Sequence, residues 1–365
     1  MRDIAKALAQ FAAEHPALGT TTTFPRAEWR ALGQRGLTGV AIPPAWGGQG
    51  ATYAETARGA EALARATGSL GFAMLWLGQQ RLARTLFHDL ADDAQRREWL
   101  PQVVEGEAIA ALAISEPGRG AHPKHLSTRA AIDGADVVIT GEKAFITNAD
   151  VASLFVVLAV DAIENGRKRF SAYLVPRGTA RLGIEAEPGL EAFRPLAHGR
   201  LRLDGCRVPL SARIGPKGQA FETISLPYRD IEDVTIMGPI LGILRRAAAD
   251  LASRAPASPE ARGALGEIAA LLTALDDIAR VALDGLDRGL AGEPAFPAHA
   301  IAFRALTTRV EERVAAARQV WNIGPAPEID RLMQCAAAAG KIARGALALK
   351  QERLAATLGA DISAT

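Results

Sequence analysis

Hydrophobic residues recur along this chain with two different periods, and the change of period divides it into three stretches. In the first, YAETARGAEALARATGSLGFAMLWLGQQRLARTLF (53–87) carries Ala and Leu at helical spacing. DDAQRREWLPQVVEGE (92–107) adds an acidic start and a proline expected to break the helix. Between the early helices, the prolines and glycines of GVAIPPAWGGQG (39–50) force a turn. Near residue 110 the pattern shortens to runs rich in Val, Ile and Phe, punctuated by Gly, Pro, Asp and Asn: EAIAALAISEP, DVVITGEKAFITN, SLFVVLAV, RFSAYLVP and RLRLDGCRVP. Helical spacing returns at GQAFETISLPYRD and continues through LGEIAALLTALDDIARVALDGLDRGLAG and RALTTRVEERVAAARQVWNIG. RAPASPEARG and AGEPAFPAH read as the loops between these helices.

The expected fold is α+β and multidomain: an N-terminal helical bundle over 1–110, a β-domain of sandwich or barrel type over 111–220, and a C-terminal four-helix bundle over 221–365. A β-domain placed between two helical halves creates an interface able to enclose a large planar ligand. Within GEKAFITNAD (141–150), strand alternation puts Phe145 and Thr147 on one face and Ala144 and Ile146 on the other. A ring and a hydroxyl side by side suit a planar heterocycle. They suit a packed core equally well.

Composition narrows the function classes. The 365 residues are 49% apolar and 22% charged, an ordinary globular balance. With 42 basic against 40 acidic residues, there is no electrostatic footprint for nucleic acid or an anionic membrane. Cys206 and Cys335 stand far apart, which fits a reducing compartment and neither a disulfide framework nor a metal cluster. His122 and His125 flank a proline in a loop-like stretch rather than showing metal-ligand spacing. No run reaches the roughly 18 apolar residues of a membrane span, and the N-terminus lacks a signal-peptide pattern, so a cytoplasmic protein is expected.

Four segments in order resemble the acyl-CoA dehydrogenase family of flavoproteins. AISEPGRGAH (113–122) is similar to the family's [LI]-[TS]-E-P-x-x-G-S-D, and GEKAFITNA to G-x-K-x-[WF]-I-T-N-[AG]. LRLDGCRVPLSARIGPKGQAF is similar to the segment that closes the family's β-domain, and GVAIPPAWGGQG to its G-[LV]-x-x-P-x-x-[YW]-G-G-x-G loop. The resemblance implies FAD, an acyl-CoA or other acyl thioester as substrate, and a homodimer or homotetramer. It also implies chemistry in which a carboxylate removes the α-proton while hydride passes from the β-carbon to flavin N5. By position, Ser115 would bond the flavin edge with Ile114 alongside through its backbone. Phe145 would stack on the ring, with Ile146 next to it and Thr147 reaching the N5/O4 side. Glu116, followed directly by proline, reads as structural.

The sequence departs from the family in three places. The Ser-Asp after the glycine is Ala121-His122, so the thioester side loses a hydroxyl worth about 1–2 kcal/mol, which His122 would have to replace. On the adenine side, Arg254 and Gln319 stand for an arginine and a glutamine, but the Phe-Gly is missing and Asn322-Ile323 replaces a glycine pair. QCAAAAGKIARGALALKQERLA contains no Glu-Gly-Thr, the usual place of the base. Glu232 matches an alternative base position after a one-residue shift, while Asp230 and Asp233 read either as substitutes or as helix N-terminal acids favoured by the macrodipole. Three functions stay open: a catalytic dehydrogenase passing electrons to an electron-transfer flavoprotein or O2, a partner subunit within a hetero-oligomer, and a flavin-dependent oxygenase on the same scaffold.

Overall fold

The computed structural model describes residues 3–187, 191–342 and 344–363. Five helices come first: α1 (Ile4–Glu14), α2 (Arg26–Gln34), α3 (Tyr53–Thr67), α4 (Leu70–Leu82) and α5 (Asp93–Val104). Eight strands follow: β1 (Ala110–Ala113), β2 (Arg129–Asp133), β3 (Asp136–Thr147), β4 (Leu154–Glu164), β5 (Arg167–Pro176), β6 (Leu182–Glu187), β7 (His198–Pro209) and β8 (Arg213–Ile214). The chain ends in α6 (Leu226–Thr235), α7 (Met237–Ser253), α8 (Pro259–Asp287), α9 (Pro297–Val320), α10 (Pro327–Ala339) and α11 (Arg344–Ser363). The chain folds as two compact units. One comprises Thr21–Ala51 and Leu75–Arg229, the other Arg2–Thr20, Thr52–Met74 and Asp230–Thr365, so the N-terminal helices are shared between them. Among the described residues, no helix is long and apolar enough to cross a membrane.

The first unit is organised by one mixed sheet in the order β6-β7-β3-β2-β4-β5-β8, with β1 also paired to β4. β1 and β2 both run parallel to β4, β1 along Leu154–Val157 and β2 at Val160, and the remaining pairs are antiparallel. Phe155 and Val157 of β4 share a core with Leu201 and Leu203 of β7, although two strands separate them in the sheet. The sheet therefore curls around this core, as the barrel-type expectation requires. The opposite face of β4 and β5, through Val156, Leu158 and Leu174, packs on Leu82, Phe87 and Leu100. Burial on both faces explains why SLFVVLAV reads as a continuous apolar run rather than an alternating one.

Two buried glutamines tie the turn-rich loop and the sheet to α4. Gln79 donates to the Ala110 carbonyl at 2.9 Å and accepts from its N–H at 3.0 Å, standing in for a strand neighbour. Gln80 donates to the Thr38 carbonyl at 2.7 Å, and the Trp76 indole donates to the Leu37 carbonyl at 2.7 Å. These bonds satisfy backbone groups that an irregular buried loop would otherwise leave unpaired. One expectation fails locally. Pro101 lies inside α5 instead of breaking it. The carbonyl its missing N–H would have met belongs to Arg97, which is exposed, so a single further turn is tolerated.

In the second unit, α3 packs closely on α7. A Cβ at Gly238 would lie 2.2 Å from the Ala57 carbonyl oxygen, and one at Gly242 would lie 2.4 Å from that of Glu61, so only glycine permits this approach. The N-terminus of α3 is capped twice. Thr52 and Glu55 form a capping box, and the Asp287 carboxylate at the end of α8 accepts from the Tyr53 and Ala54 N–H groups at 2.8 and 3.0 Å. PEARG, expected as loop, is the first turn of α8, with Ser258 as its N-cap and Pro259 at the first position.

Two glycine substitutions with opposite signs test this packing. Gly238→Ala should lower unfolding free energy by about 1–3 kcal/mol. Gly263→Ala, on an exposed stretch of α8 with nothing near its added methyl, should raise it by about 0.5–1 kcal/mol. Chemical denaturation of the two variants reads both signs.

Candidate functional site

Strand β3 carries the segment singled out above, and a bulge shapes it. Lys143 pairs with Leu201 and Ile146 with Gly199, so Ala144 and Phe145 together oppose the single residue Arg200. Phe145 takes a left-handed backbone, φ 56°, unusual for an aromatic residue. The extra residue lets Lys143 and Ala144 both turn inward, while Phe145 is turned out to 64% exposure. Thr147 is exposed on the same face, and Ile146 is buried at 1%, so any ligand contact of Ile146 must come from its backbone. The predicted division of Phe145 and Thr147 from Ala144 and Ile146 is the one observed. Both Phe145 and Thr147 are exposed, so the packed-core alternative does not hold for them. A bulge also strands a backbone N–H, and here Glu187 Oε2 accepts the N–H of Phe145 at 2.6 Å, with Arg200 bonding the same carboxylate at 3.2 Å.

A buried ion pair fastens this strand to the AISEP segment. The Lys143 ammonium, fully buried, donates to Glu116 Oε1 at 3.1 Å and to the Ile114 carbonyl at 3.0 Å. Glu116 also accepts from the Ser127 N–H, the Ser127 hydroxyl and the Thr128 N–H, each at 2.8 Å. Burial alone would raise the Glu116 pKa, but Lys143 and these donors outweigh it and hold the carboxyl at about 2. For Lys143, burial prevails over the pull of Glu116 and brings the ammonium down to about 8, still mostly charged at neutral pH. Glu116 is thus a structural acid, as its proline neighbour suggested. The Ala144 N–H also donates to the Ser115 carbonyl at 2.9 Å, so Ile114 and Ser115 lie directly beside the bulge. Ala121 is half-buried and His122 exposed in the loop that follows, the His122 ring 4.9 Å from that of His125.

The other predicted residues belong to the second unit. Glu232 on α6 lines a cavity of about 120 Å³ together with Ile236, Met237, Phe303 and Thr307. Asp230 and Asp233 are not helix N-terminal acids. The chain is already helical from Phe221, α6 has no acid in its first turn, and both carboxylates bind the Lys350 ammonium at 2.7 and 2.8 Å. Burial opposes the Lys350 charge, but Asp233 and Asp230 outweigh it and raise its pKa. Asp233 also meets Arg304 at 3.2 Å. Glu311, which the sequence pattern did not single out, lines the same cavity, and burial pushes its carboxyl up against the pull of Lys341. Arg254 caps the end of α7, exposed and bonded to Asp250 at 3.4 Å. Gln319 is exposed at the end of α9, where Asn322 adopts the left-handed backbone, φ 49°, and the Ile323 N–H closes onto the Arg318 carbonyl at 3.0 Å. Asparagine thus keeps a backbone conformation that glycine adopts most readily, while adding a side chain. Among the described residues, no group of three His, Cys, Asp or Glu side chains is placed to hold a metal ion.

Residues 1–107 match the acyl-CoA dehydrogenase N-terminal domain, and residues 111–206 match its middle domain. The human mitochondrial short-chain specific acyl-CoA dehydrogenase is 31% identical over 224 residues, 61% of this chain and 54% of the relative. An L-prolyl-[peptidyl-carrier protein] dehydrogenase of Pseudomonas fluorescens is 31% identical over 225 residues, 61% of this chain and 59% of the relative. These matches span little more than half the length of either relative. Among solved structures, butyryl-CoA dehydrogenase from Megasphaera elsdenii superposes with a TM-score of 0.83 over 98% of both chains at 20% identity. A prolyl acyl carrier protein oxidase superposes with a TM-score of 0.80 at 20% identity, over 98% of both chains.

The buried pair generates a stability prediction. Lys143→Met should cost about 3–5 kcal/mol by leaving Glu116 charged and uncompensated, whereas the double variant Lys143→Met/Glu116→Gln should recover much of the loss. Because the folded pKa of Glu116 is depressed, its contribution is present above 4.5 and is lost as pH falls toward about 2. Urea titrations across that range should show this acid-side loss in the wild type and not in the double variant.

Because the two domain models together match more than half of its residues, the chain belongs to the acyl-CoA dehydrogenase family.

Proposed function

We propose that this protein is an FAD-dependent dehydrogenase that introduces an α,β double bond into an acyl thioester. The observation that carries this reading is the exposed Phe145 ring beside the Thr147 hydroxyl, held out from the sheet by the bulge. A large aromatic side chain exposed next to a hydrogen-bonding group suits a planar heterocycle, and the Lys143–Glu116 pair gives it a rigid support. Bound FAD would supply the acceptor for the β-hydride. Toward it, Phe145 provides the stacking surface, Thr147 and Ser115 the edge contacts, and the Ile114 and Ile146 backbone the flanks. Arg254 and Gln319 are the residues assigned to its adenine side.

Removal of the α-proton falls to Glu232, the cavity-lining acid on α6 that matches the alternative base position. The cavity wall is mixed, apolar at Ile236, Met237 and Phe303 and charged at Asp233, Arg304, Glu311 and Lys341. Ala121 and His122 lie at the positions expected to meet the thioester. The thioester is carried by coenzyme A or by a carrier protein, the two carriers named among the relatives. The replaced Glu-Gly-Thr segment favours a second reading, in which the chain is one subunit of a hetero-oligomer and a partner supplies the base.

Purified protein should be yellow and should bleach anaerobically with butyryl-CoA or a prolyl thioester. Glu232→Gln should slow that bleaching by roughly 10²–10⁴-fold, with Glu311→Gln as the comparison among cavity acids. Colourless protein that stays colourless with added FAD would sink the dehydrogenase reading and support the partner-subunit one. Rapid reoxidation by O2 with an oxygenated product would move the protein to the oxygenase class. Bleaching at wild-type rate in Glu232→Gln would remove Glu232 as the base.

A further inference from the structure

The exposed face around Phe145 extends beyond β3. Thr147 pairs in register with His198 of β7, and His198 pairs in register with Glu187 of β6. Residues paired across adjacent strands project to the same side of the sheet, so Thr147, His198 and Glu187 form one row, about 10 Å long at two strand spacings. The row adjoins Phe145, because the Glu187 carboxylate reaches along it to accept the Phe145 N–H at 2.6 Å. His198 is half-buried and Thr147 exposed, while the Glu187 side chain is 9% exposed and held by Arg200. An imidazole in this position stands next to the hydroxyl already assigned to the edge of a heterocycle.

We propose that His198 is a ligand-binding residue that, with Thr147, forms the hydrogen-bonding edge for the carbonyl and ring-nitrogen rim of the heterocycle stacked on Phe145. This rests on the flavin reading above and extends it to a residue that no motif marked. Glu187 and Arg200 hold the bulge in place, and His198 touches the ligand. The charged groups that face His198 are Glu187 from β6 and Arg200 from its own strand, while β3 presents Thr147 and the Phe145 ring. Burial pushes the His198 pKa down and Glu187 pushes it partly back up. Covering the ring with a bound heterocycle buries it further and disfavours its charged form, so ligand affinity falls as His198 gains a proton.

The test is a fluorescence titration of the flavin-free protein with FAD from about pH 8 to about pH 5, the range in which histidine titrates. Wild-type affinity should weaken toward the acid end. His198→Gln, which keeps a hydrogen-bonding group but does not titrate in this range, should bind FAD near the wild-type affinity at the alkaline end and lose the pH dependence. His198→Ala should bind about tenfold more weakly than the wild type at the alkaline end, the worth of one hydrogen bond, and should also lose the pH dependence. Arg202→Ala, further along the same strand, should match the wild type. FAD binding with the same affinity and pH profile in wild type and His198→Gln would overturn the role of His198 while leaving the flavin reading intact. Absence of FAD binding by the wild type itself would overturn that reading, and this inference with it. Far-ultraviolet spectra establish which variants fold, and His198→Gln decides the matter if His198→Ala does not.

Discussion

The ion pair between Lys143 and Glu116 is the constraint around which the candidate site is built. Two charges removed from water cost several kcal/mol each unless their hydrogen-bonding capacity is filled. Here it is filled on the carboxylate by four donors and on the ammonium by the carboxylate and the Ile114 carbonyl. Such a pair has one well-satisfied arrangement, so it fixes the distance between the AISEP segment and β3. Everything on the exposed side of β3 inherits that register. The lysine also explains the bulge, since Lys143 and Ala144 can both be buried only if the strand gains a residue there.

The bulge in turn has two consequences with different causes. It places Phe145 in a left-handed backbone and turns its ring to solvent, a strained and unprofitable arrangement for a core residue but a suitable one for a ligand platform. It also leaves an N–H outside the ladder, which recruits Glu187 and through it Arg200. A residue from a strand far away in sequence thus becomes part of the platform. Short apolar runs indicate strands one at a time, but they do not say which residue of β6 or β7 lies opposite Thr147.

Much of the candidate site was legible before any coordinates. The alternation of GEKAFITN assigned Phe145 and Thr147 to one face, and Pro117 after Glu116 marked that acid as structural. Less was legible in the C-terminal helices. Asp230 and Asp233 read as helix N-terminal acids because the irregular helical turn from Phe221 leaves no sequence mark, and their cation, Lys350, lies more than a hundred residues away. Glu311 passed unnoticed because a glutamate on a long amphipathic helix looks like any solvated charge until the cavity beside it is known.

What the sequence determined by itself was the set of elements and the family, because hydrophobic period, turn residues and contiguous motifs are local properties written in consecutive residues. The helical stretches and the longer strands followed from them, but the short strands β2, β6 and β8 carried no such mark, PEARG proved helical and Pro101 lies inside α5. The tertiary structure alone decided the strand pairing, the depth at which each charge is buried and the identity of its partner. Those depend on contacts between residues remote in the chain, such as Lys143 with Glu116, Lys350 with Asp230 and Thr147 with His198. Lys143 is completely buried once the sheet closes over it, and its chemistry changes with that burial.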